Sequence, residues 1–197
     1  INLSGTSALT TGANLVLTGT LSVGNGTTLT QGAYTLSIGG AAAIGAGASG
    51  SFVGSASALT LKDNLTLALG STWTKGAGAV IFAKGNTQSF TDSTAALQDL
   101  GAVQVSFSGS NTTLNLGSSA KMTSLTIDAS QVFSHFGSNT LTLTGSGTPL
   151  SIGTGVFTPS TGTLNYEGIS PTTITATTYN NLGVGTLSDS NAVTYTQ

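Results

Sequence analysis

Apolar and polar residues alternate in short runs along most of this chain. In residues 15–19 (LVLTG) and 35–39 (TLSIG), Leu or Ile recurs at every second position. A period of two is typical of β-strands, because successive side chains of a strand point to opposite sides of the sheet. Gly, Asn and Ser separate the runs, and these residues favour turns. Helical periodicity is hard to find, so the pattern predicts many short strands joined by tight turns.

The strands recur at intervals of about 16–23 residues. Their predicted starts are Leu15, Leu36, Leu59, Val80, Val103, Leu125, Leu141, Leu164 and Leu182. This spacing suits one coil of a β-solenoid better than the spacing of about 8–12 residues that is typical of a β-sandwich. We therefore predict an all-β chain that forms a single-stranded β-solenoid, similar to a parallel β-helix, with irregular coils. Inward Leu, Ile and Val should stack in ladders, and outward Thr should cover the strands.

A longer, degenerate repeat is superimposed on the coils. Residues 34–52 align without a gap with residues 139–157, and residues 71–82 align with residues 155–166. The matched pairs include Leu36 with Leu141, Phe52 with Phe157, Trp73 with Phe157, and Phe82 with Tyr166. We interpret residues 1–197 as one solenoid domain made of about two long repeats, in which Leu36 and Leu141 both point inward.

The composition narrows the classes of function. Charged residues make up 5% of the chain, against roughly 25% in an ordinary globular domain. The net charge is −2, so the chain lacks the basic surface that nucleic acids require. It has no Cys, and therefore neither a disulfide framework nor a thiolate metal site. No apolar run approaches the roughly 18 residues of a membrane-spanning helix.

The chain resembles the repeat regions of large secreted bacterial surface proteins. The resemblance is carried by the succession of residues 21–40 (LSVGNGTTLTQGAYTLSIGG), 155–168 (GVFTPSTGTLNYEG) and 177–185 (TTYNNLGVG). It is similar to the Gly- and Thr-rich β-solenoid regions of filamentous-haemagglutinin-like and autotransporter-like adhesins. The resemblance implies an extracellular or cell-surface location in a bacterium or archaeon and a structural or adhesive role. It brings no active site with it.

Residues that could support catalysis are sparse. The lone histidine, His135, lies between Phe133 and Phe136 and is interpreted as a packing residue. Glycoside cleavage generally uses two carboxylates about 5–9.5 Å apart, and of the six acidic residues only Asp92 and Asp99 are close in sequence. We therefore expect no enzymatic activity, no cofactor and no metal site.

Both ends of the sequence continue the strand pattern, and this leads to a hypothesis of assembly. We expect open solenoid ends that stack head to tail with copies of the same chain into a homopolymer, as in an extracellular filament, sheath or surface fibre. The N-terminal interface would contain Ile1, Leu3, Leu9, Leu15 and Leu17. The C-terminal interface would contain Leu182, Val184, Leu187, Val193 and Tyr195.

Two alternatives remain open at this stage. The chain could be a carbohydrate- or surface-binding segment of a long adhesin that contacts cell-surface or matrix polysaccharide. The candidate surface-binding aromatic residues are then Trp73, Phe82, Phe157 and Tyr166, although core packing also explains them. The weaker alternative is ice binding by an array of Thr-x-Thr pairs, as in residues 18–20, 140–142 and 173–175.

Overall fold

The computed structural model describes residues 1–47, residues 49–185 and the strand Tyr195–Thr196, and this part of the chain contains β-strands and no helix. The strands, in chain order, are β1 (Asn2–Leu3), β2 (Ala8–Thr10), β3 (Leu15–Leu17), β4 (Leu21–Gly24), β5 (Thr27–Thr30), β6 (Leu36–Ile38), β7 (Ala42–Ala46), β8 (Gly50–Val53), β9 (Leu59–Leu61), β10 (Leu65–Leu67), β11 (Thr72–Thr74), β12 (Val80–Phe82), β13 (Thr87–Asp92), β14 (Ala102–Val105), β15 (Thr113–Leu116), β16 (Ala120–Met122), β17 (Ser124–Ile127), β18 (Val132–Ser134), β19 (Thr140–Leu143), β20 (Leu150–Ile152), β21 (Val156–Thr158), β22 (Thr163–Tyr166), β23 (Thr172–Thr173), β24 (Asn181–Val184) and β25 (Tyr195–Thr196).

The described strands stack as a parallel β-solenoid of about eight turns, as the sequence predicted. Each turn passes through three faces. The long face is the sheet β1-β4-β7-β10-β13-β15-β18-β21, and the third face is β3-β6-β9-β12-β14-β17-β20. Between them lies the split face, which consists of a lower sheet (β2-β5-β8-β11) and an upper sheet (β16-β19-β22-β24). Strand β23 pairs with β25 in a separate sheet.

The coils are somewhat longer than predicted. Residues paired between adjacent coils lie 18 positions apart for Leu164 and Leu182 and 26 positions apart for Thr87 and Thr113. The shortest interval in the sequence, from Leu125 to Leu141, is not a coil. Leu125 belongs to the third face and Leu141 to the split face, so this interval runs from one face to another within the solenoid.

The core is made of ladders of aliphatic and aromatic residues. On the third face, one ladder consists of Leu15, Leu36, Leu59, Val80, Val103, Leu125 and Leu150. A second contains Leu17, Ile38, Leu61, Phe82, Val105, Ile127 and Ile152. Parallel register causes this stacking, because strands with the same alternation place like positions above each other. Burying each aliphatic side chain stabilises the fold by about 1.5–3 kcal/mol.

The long repeat seen in the sequence does not follow the turns of the solenoid. Leu36 and Leu141 are both buried, as predicted, but Leu36 lies on the third face and Leu141 on the split face. Trp73 lies on the split face, whereas its aligned residue Phe157 lies on the long face. The three faces share the same pattern of a short strand followed by a turn. A strand of one face can therefore be aligned with a strand of the next face and the residues still match. The division into about two long repeats stays a prediction about the sequence.

The split face is interrupted in the fifth coil. Between β13 and β14 the chain forms a loop, residues 93–100, that is organised by the buried side chain of Asp92. Its Oδ1 atom accepts hydrogen bonds from the amide of Thr94 at 2.9 Å and from the hydroxyl of Thr94 at 2.5 Å. Its Oδ2 atom accepts one from the amide of Gln98 at 2.7 Å. The carboxylate thus replaces the main-chain partners that a strand would have supplied there.

A polar cluster spans the interruption. The Lys75 ammonium donates to Asp99 Oδ2 at 2.5 Å and to the hydroxyl of Thr123 at 2.7 Å, and Thr144 donates to the same carboxylate at 3.0 Å. Burial acts to raise the pKa of Asp99, but the hydrogen bonds from Lys75, the Gly101 amide and Thr144, with the charge of Lys75, hold it below its ordinary value. The cluster joins four successive coils at one corner.

Candidate functional site at the N-terminal edge of the solenoid

The first coil places an apolar row at one end of the core. Leu3, Leu9, Leu15 and Leu17 each pair in register with a residue of the second coil: Val23, Leu29, Leu36 and Ile38, respectively. The second-coil residues are 0–2% exposed. Leu9, in contrast, is 41% exposed, and Leu3, Leu15 and Leu17 are only partly buried. The row therefore consists of apolar residues like those of a core ladder, but no further coil among the described residues covers it.

The main chain of this edge is also unpaired on one side. Among the described strands, β1, β2 and β3 are the outer members of their sheets, and each pairs only with a strand of the second coil. Proteins usually protect such edges with Lys, Pro or another charged group. Residues 1–61 contain no Lys, Arg, Asp, Glu, His or Pro. A further parallel coil could therefore pair with this edge, and no charged side chain of residues 1–61 would oppose the contact.

The predicted C-terminal interface is only partly within the described residues. Leu182 and Val184, on β24, are 43% and 46% exposed. Leu187 and Val193 lie outside the described residues. Tyr195 belongs to β25, whose main chain pairs with Thr172 and Thr173 of the same chain, so this pairing is internal to the chain and not with another copy.

Aromatic side chains cover the core near this end. Phe157 stacks on Phe133 with ring centroids 5.9 Å apart, and Tyr179 packs against both Phe157 and Tyr166. The hydroxyls of Tyr166 and Tyr179 are 2.9 Å apart. Burial and then the hydrogen bond with Tyr166 raise the pKa of Tyr179, so the Tyr179 hydroxyl stays protonated at physiological pH. Among the described residues, tyrosines therefore fill the core beside β21 and β22, whereas leucines line the core at the first coil.

The aromatic residues considered for surface binding are not on the surface, and that interpretation is wrong. Phe82 and Tyr166 are 0% exposed, Trp73 is 6% exposed and Phe157 is 9% exposed. Trp73 stacks on Phe52 with ring centroids 4.4 Å apart. All four belong to inward ladders, where large apolar rings fill the space between the faces.

His135 and Asp63 are engaged in structural contacts. His135 is 1% exposed, and its ring lies against the backbone of Gly162, where a Cβ atom would come within 2.6 Å of Nε2. Burial lowers the pKa of His135, which keeps the imidazole neutral, and a hydrogen bond with the backbone of Asn139 offsets part of this shift.

Asp63 forms an ion pair with Lys84 at 2.7 Å. In the described chain, no three His, Asp or Glu side chains gather as a metal site.

Threonine columns do occur on the outer side of the lower split sheet. Thr28 and Thr30 of β5 and Thr72 and Thr74 of β11 point outward at equivalent positions. Ser51 and Val53 of β8 separate the two pairs. These are not the pairs noted in the sequence: residues 18–20 form a turn region, and Thr142 is buried. The interruption weakens the case for ice binding, which needs a regular array.

A shallow cavity of about 270 Å³ lies where residues 107–111 face residues 129–131. Its lining is polar and carries no charged side chain. The amide of Gln131 is already used, because its Nε2 donates to the carbonyls of Phe107 and Ala129. The residues that line the cavity therefore include no acid–base pair.

Comparison with protein-family models, with curated proteins and with solved structures finds no significant match. The solenoid fold is established by the structure, and the likeness to adhesin repeats rests on the sequence pattern. Within the described residues, no helix has the length and apolar character needed to cross a bilayer.

Proposed function

We propose that this chain is a structural part of an extracellular filament, sheath or surface fibre of a bacterial or archaeal cell, in which solenoids stack head to tail. The observation that carries the proposal is the apolar row at the N-terminal edge, with the unpaired edges of β1, β2 and β3 beside it. The expected occupant of this edge is a parallel coil of a second copy. Such a contact is heterologous and does not close on itself, so it extends into a fibre.

The architecture within the chain supports this mode of contact. Each described coil covers the one before it with main-chain hydrogen bonds and apolar ladders, and a coil from a second copy would repeat the same contact. A long, uncharged, apolar edge is an unfavourable surface to leave in water, and it is a template for strand addition. The low charge of the chain fits this role, because ladders of backbone hydrogen bonds hold the joint.

The test uses two matched substitutions on one strand. Leu9 points toward the open end of the core and Thr10 points outward from the same strand. Leu9→Glu should abolish fibre growth of the purified chain, because it places a charge in the joint, whereas Thr10→Glu should leave it intact. Growth is followed by light scattering and negative-stain imaging, with thermal unfolding of each variant as the check on folding. Equal growth in both variants, or no growth of the wild-type chain at high concentration, contradicts the proposal.

A second outcome is informative about the identity of the occupant. If the edge is covered by further coils of a longer chain, mass measurement on native material gives a polypeptide longer than 197 residues. The chain is then a segment of a longer adhesin-like solenoid, the alternative that the sequence left open. The buried positions of Trp73, Phe82, Phe157 and Tyr166 remove the aromatic surface on which polysaccharide binding by this segment would have rested.

A further inference from the structure

The corner between β4 and β5 contains Asn25 followed by Gly26, the only Asn-Gly pair in the sequence. In this dipeptide the amide nitrogen of Gly can attack the side-chain carbonyl carbon of Asn without steric hindrance from a Cβ atom. The attack forms a C–N bond and releases the side-chain nitrogen as ammonia, giving a cyclic imide. Water then opens the ring to aspartate or isoaspartate. Asn25 and Gly26 are both exposed, so water and base reach them freely.

One residue of the neighbouring coil engages both reacting groups. The Gly26 amide donates to the carbonyl oxygen of Ser49 at 2.5 Å and lies 3.2 Å from its hydroxyl oxygen. The Ser49 hydroxyl donates to Asn25 Oδ1 at 2.5 Å. The attacking nitrogen therefore has its proton held by the next coil, and the side chain that it would attack is fixed in place. Gly26 adopts a φ of +72°, a conformation that favours glycine, so this arrangement depends on the same residue that makes the reaction easy.

We propose that Asn25 is a deamidation site and that Ser49 holds its reaction in check as long as the second and third coils stay stacked. The protection is geometric. A hydrogen bond to Oδ1 by itself draws electrons from the carbonyl carbon and would assist attack, so the protection comes from restricting the movement of the Asn25 side chain and from holding the Gly26 proton. When these hydrogen bonds with Ser49 are lost, Asn25 and Gly26 are free to react.

The reaction would disturb the fold beyond the corner. Isoaspartate adds one carbon atom to the main chain immediately before β5. Thr27, the first residue of β5, is 1% exposed, and its hydroxyl donates to the carbonyl of Gly5 at 3.2 Å. An extra main-chain atom would displace Thr27 and shift Leu29 against Phe52 in the ladder of the lower split sheet. Deamidation thus acts on the stacking of the first three coils.

The experiment compares the wild-type chain with Ser49→Ala during prolonged incubation in mildly alkaline buffer. Peptide mass spectrometry follows the gain of one mass unit at residues 15–40, and fragmentation separates aspartate from isoaspartate. Ser49→Ala should deamidate several-fold faster than the wild type, and the wild type several-fold slower in buffer than in denaturant. Ser37→Ala, on the outer side of β6, is the matched control and should behave as the wild type.

Two results overturn the proposal. One is an equal rate for Ser49→Ala and the wild type, with both chains folded by thermal unfolding. The other is a wild-type rate in buffer that equals the rate in denaturant. Asn25→Gln fixes the position of the reaction: the mass gain in residues 15–40 must disappear, and its persistence places the reaction at another residue.

Discussion

Asp92 stacks in register on Leu67, at the end of a ladder that continues through Ile44 and Val23 to Leu3. It is 4% exposed, so a carboxylate takes an inward position of the apolar core. The reason is local: the split face is interrupted directly after Asp92, and the loop of residues 93–100 needs acceptors for its amides. The carboxylate supplies them.

Replacing Asp92 by Ala should therefore destabilise the fold strongly. The substitution leaves the amides of Thr94 and Gln98 without their acceptor and opens a gap above Leu67, at a cost of about 3 kcal/mol. Chemical denaturation measures the change in the free energy of unfolding. The control is Asp63→Ala, which removes a partly exposed ion pair with Lys84 and should cost about 1 kcal/mol. Similar costs for the two variants would show that Asp92 does not hold the loop.

Truncation of the ladders should be equally costly on different faces. Leu36 is 1% exposed on the third face and Leu141 is 0% exposed on the split face. Changing either to Ala should cost about 2–5 kcal/mol, from lost burial and from the cavity left behind. Val16, which is 68% exposed on the outer side of β3, is the control, and Val16→Ala should change stability little. A small loss at Leu141 alone would indicate that the upper split sheet packs more loosely than the third face.

Gly76 lies at the corner that follows the split face, where close packing should make any residue with a Cβ atom destabilising. A Cβ atom on Gly76 would lie 1.9 Å from the carbonyl oxygen of Ser55 in the coil below, so the two coils would have to separate. Gly76→Ala should cost about 2–4 kcal/mol. Gly12 has nothing within 4 Å of such an atom, and Gly12→Ala should be neutral or stabilise by up to about 1 kcal/mol. Thermal unfolding of the pair checks this, and equal melting temperatures would refute the steric argument.

The buried imidazole should make stability depend on pH under mildly acidic conditions. Burial lowers the pKa of His135 below its ordinary value of 6.5, so the unfolded chain takes up a proton before the folded chain does. Stability from this group is complete above the unfolded pKa and is lost as the pH falls toward the folded pKa. Denaturation of the wild type should show this decline, whereas His135→Gln should lack it. Parallel pH profiles for the two proteins would count against a buried neutral imidazole.

The alternation of residues was sufficient to predict the solenoid and to locate nine of the 25 described strands, none of which belongs to the long face. Each of the nine predicted strand starts lies inside a strand, from Leu15 in β3 to Leu182 in β24. The assignment of strands to faces was not predictable in the same way. All faces of the solenoid read as the same sequence of inward Leu, outward Thr and turn, so nothing in the pattern marks the step from Leu125 on the third face to Leu141 on the split face.

Buried polar residues were also outside the reach of the pattern. The sequence drew attention to Asp92 only because it lies close to Asp99, and its inward position depends on a break in the neighbouring sheet that only the fold reveals. Gln31, Gln88 and Gln131 are 1–3% exposed and donate side-chain hydrogen bonds to main-chain carbonyls. A glutamine in a Thr-rich sequence carries no local sign of that role, because most of the carbonyls that accept these hydrogen bonds lie 24–27 residues away in the sequence.

The interruption at residues 93–100 has a mechanical consequence. In the proposed fibre, tension would cross every coil boundary in turn, since the hydrogen bonds between coils run along the axis. At the fifth coil only two of the three faces supply a continuous ladder. The remaining side is held by the Lys75–Asp99 ion pair, by the hydrogen bond from the Trp73 amide to Gln98 Oε1, and by an isolated bridge between Asp99 and Lys121. This boundary should be the first to open. A coil of 18–26 residues that is released from the stack extends to about 60–90 Å, whereas its rise within the stack is about 5 Å. The chain would therefore lengthen in steps and dissipate the applied force before the fibre breaks.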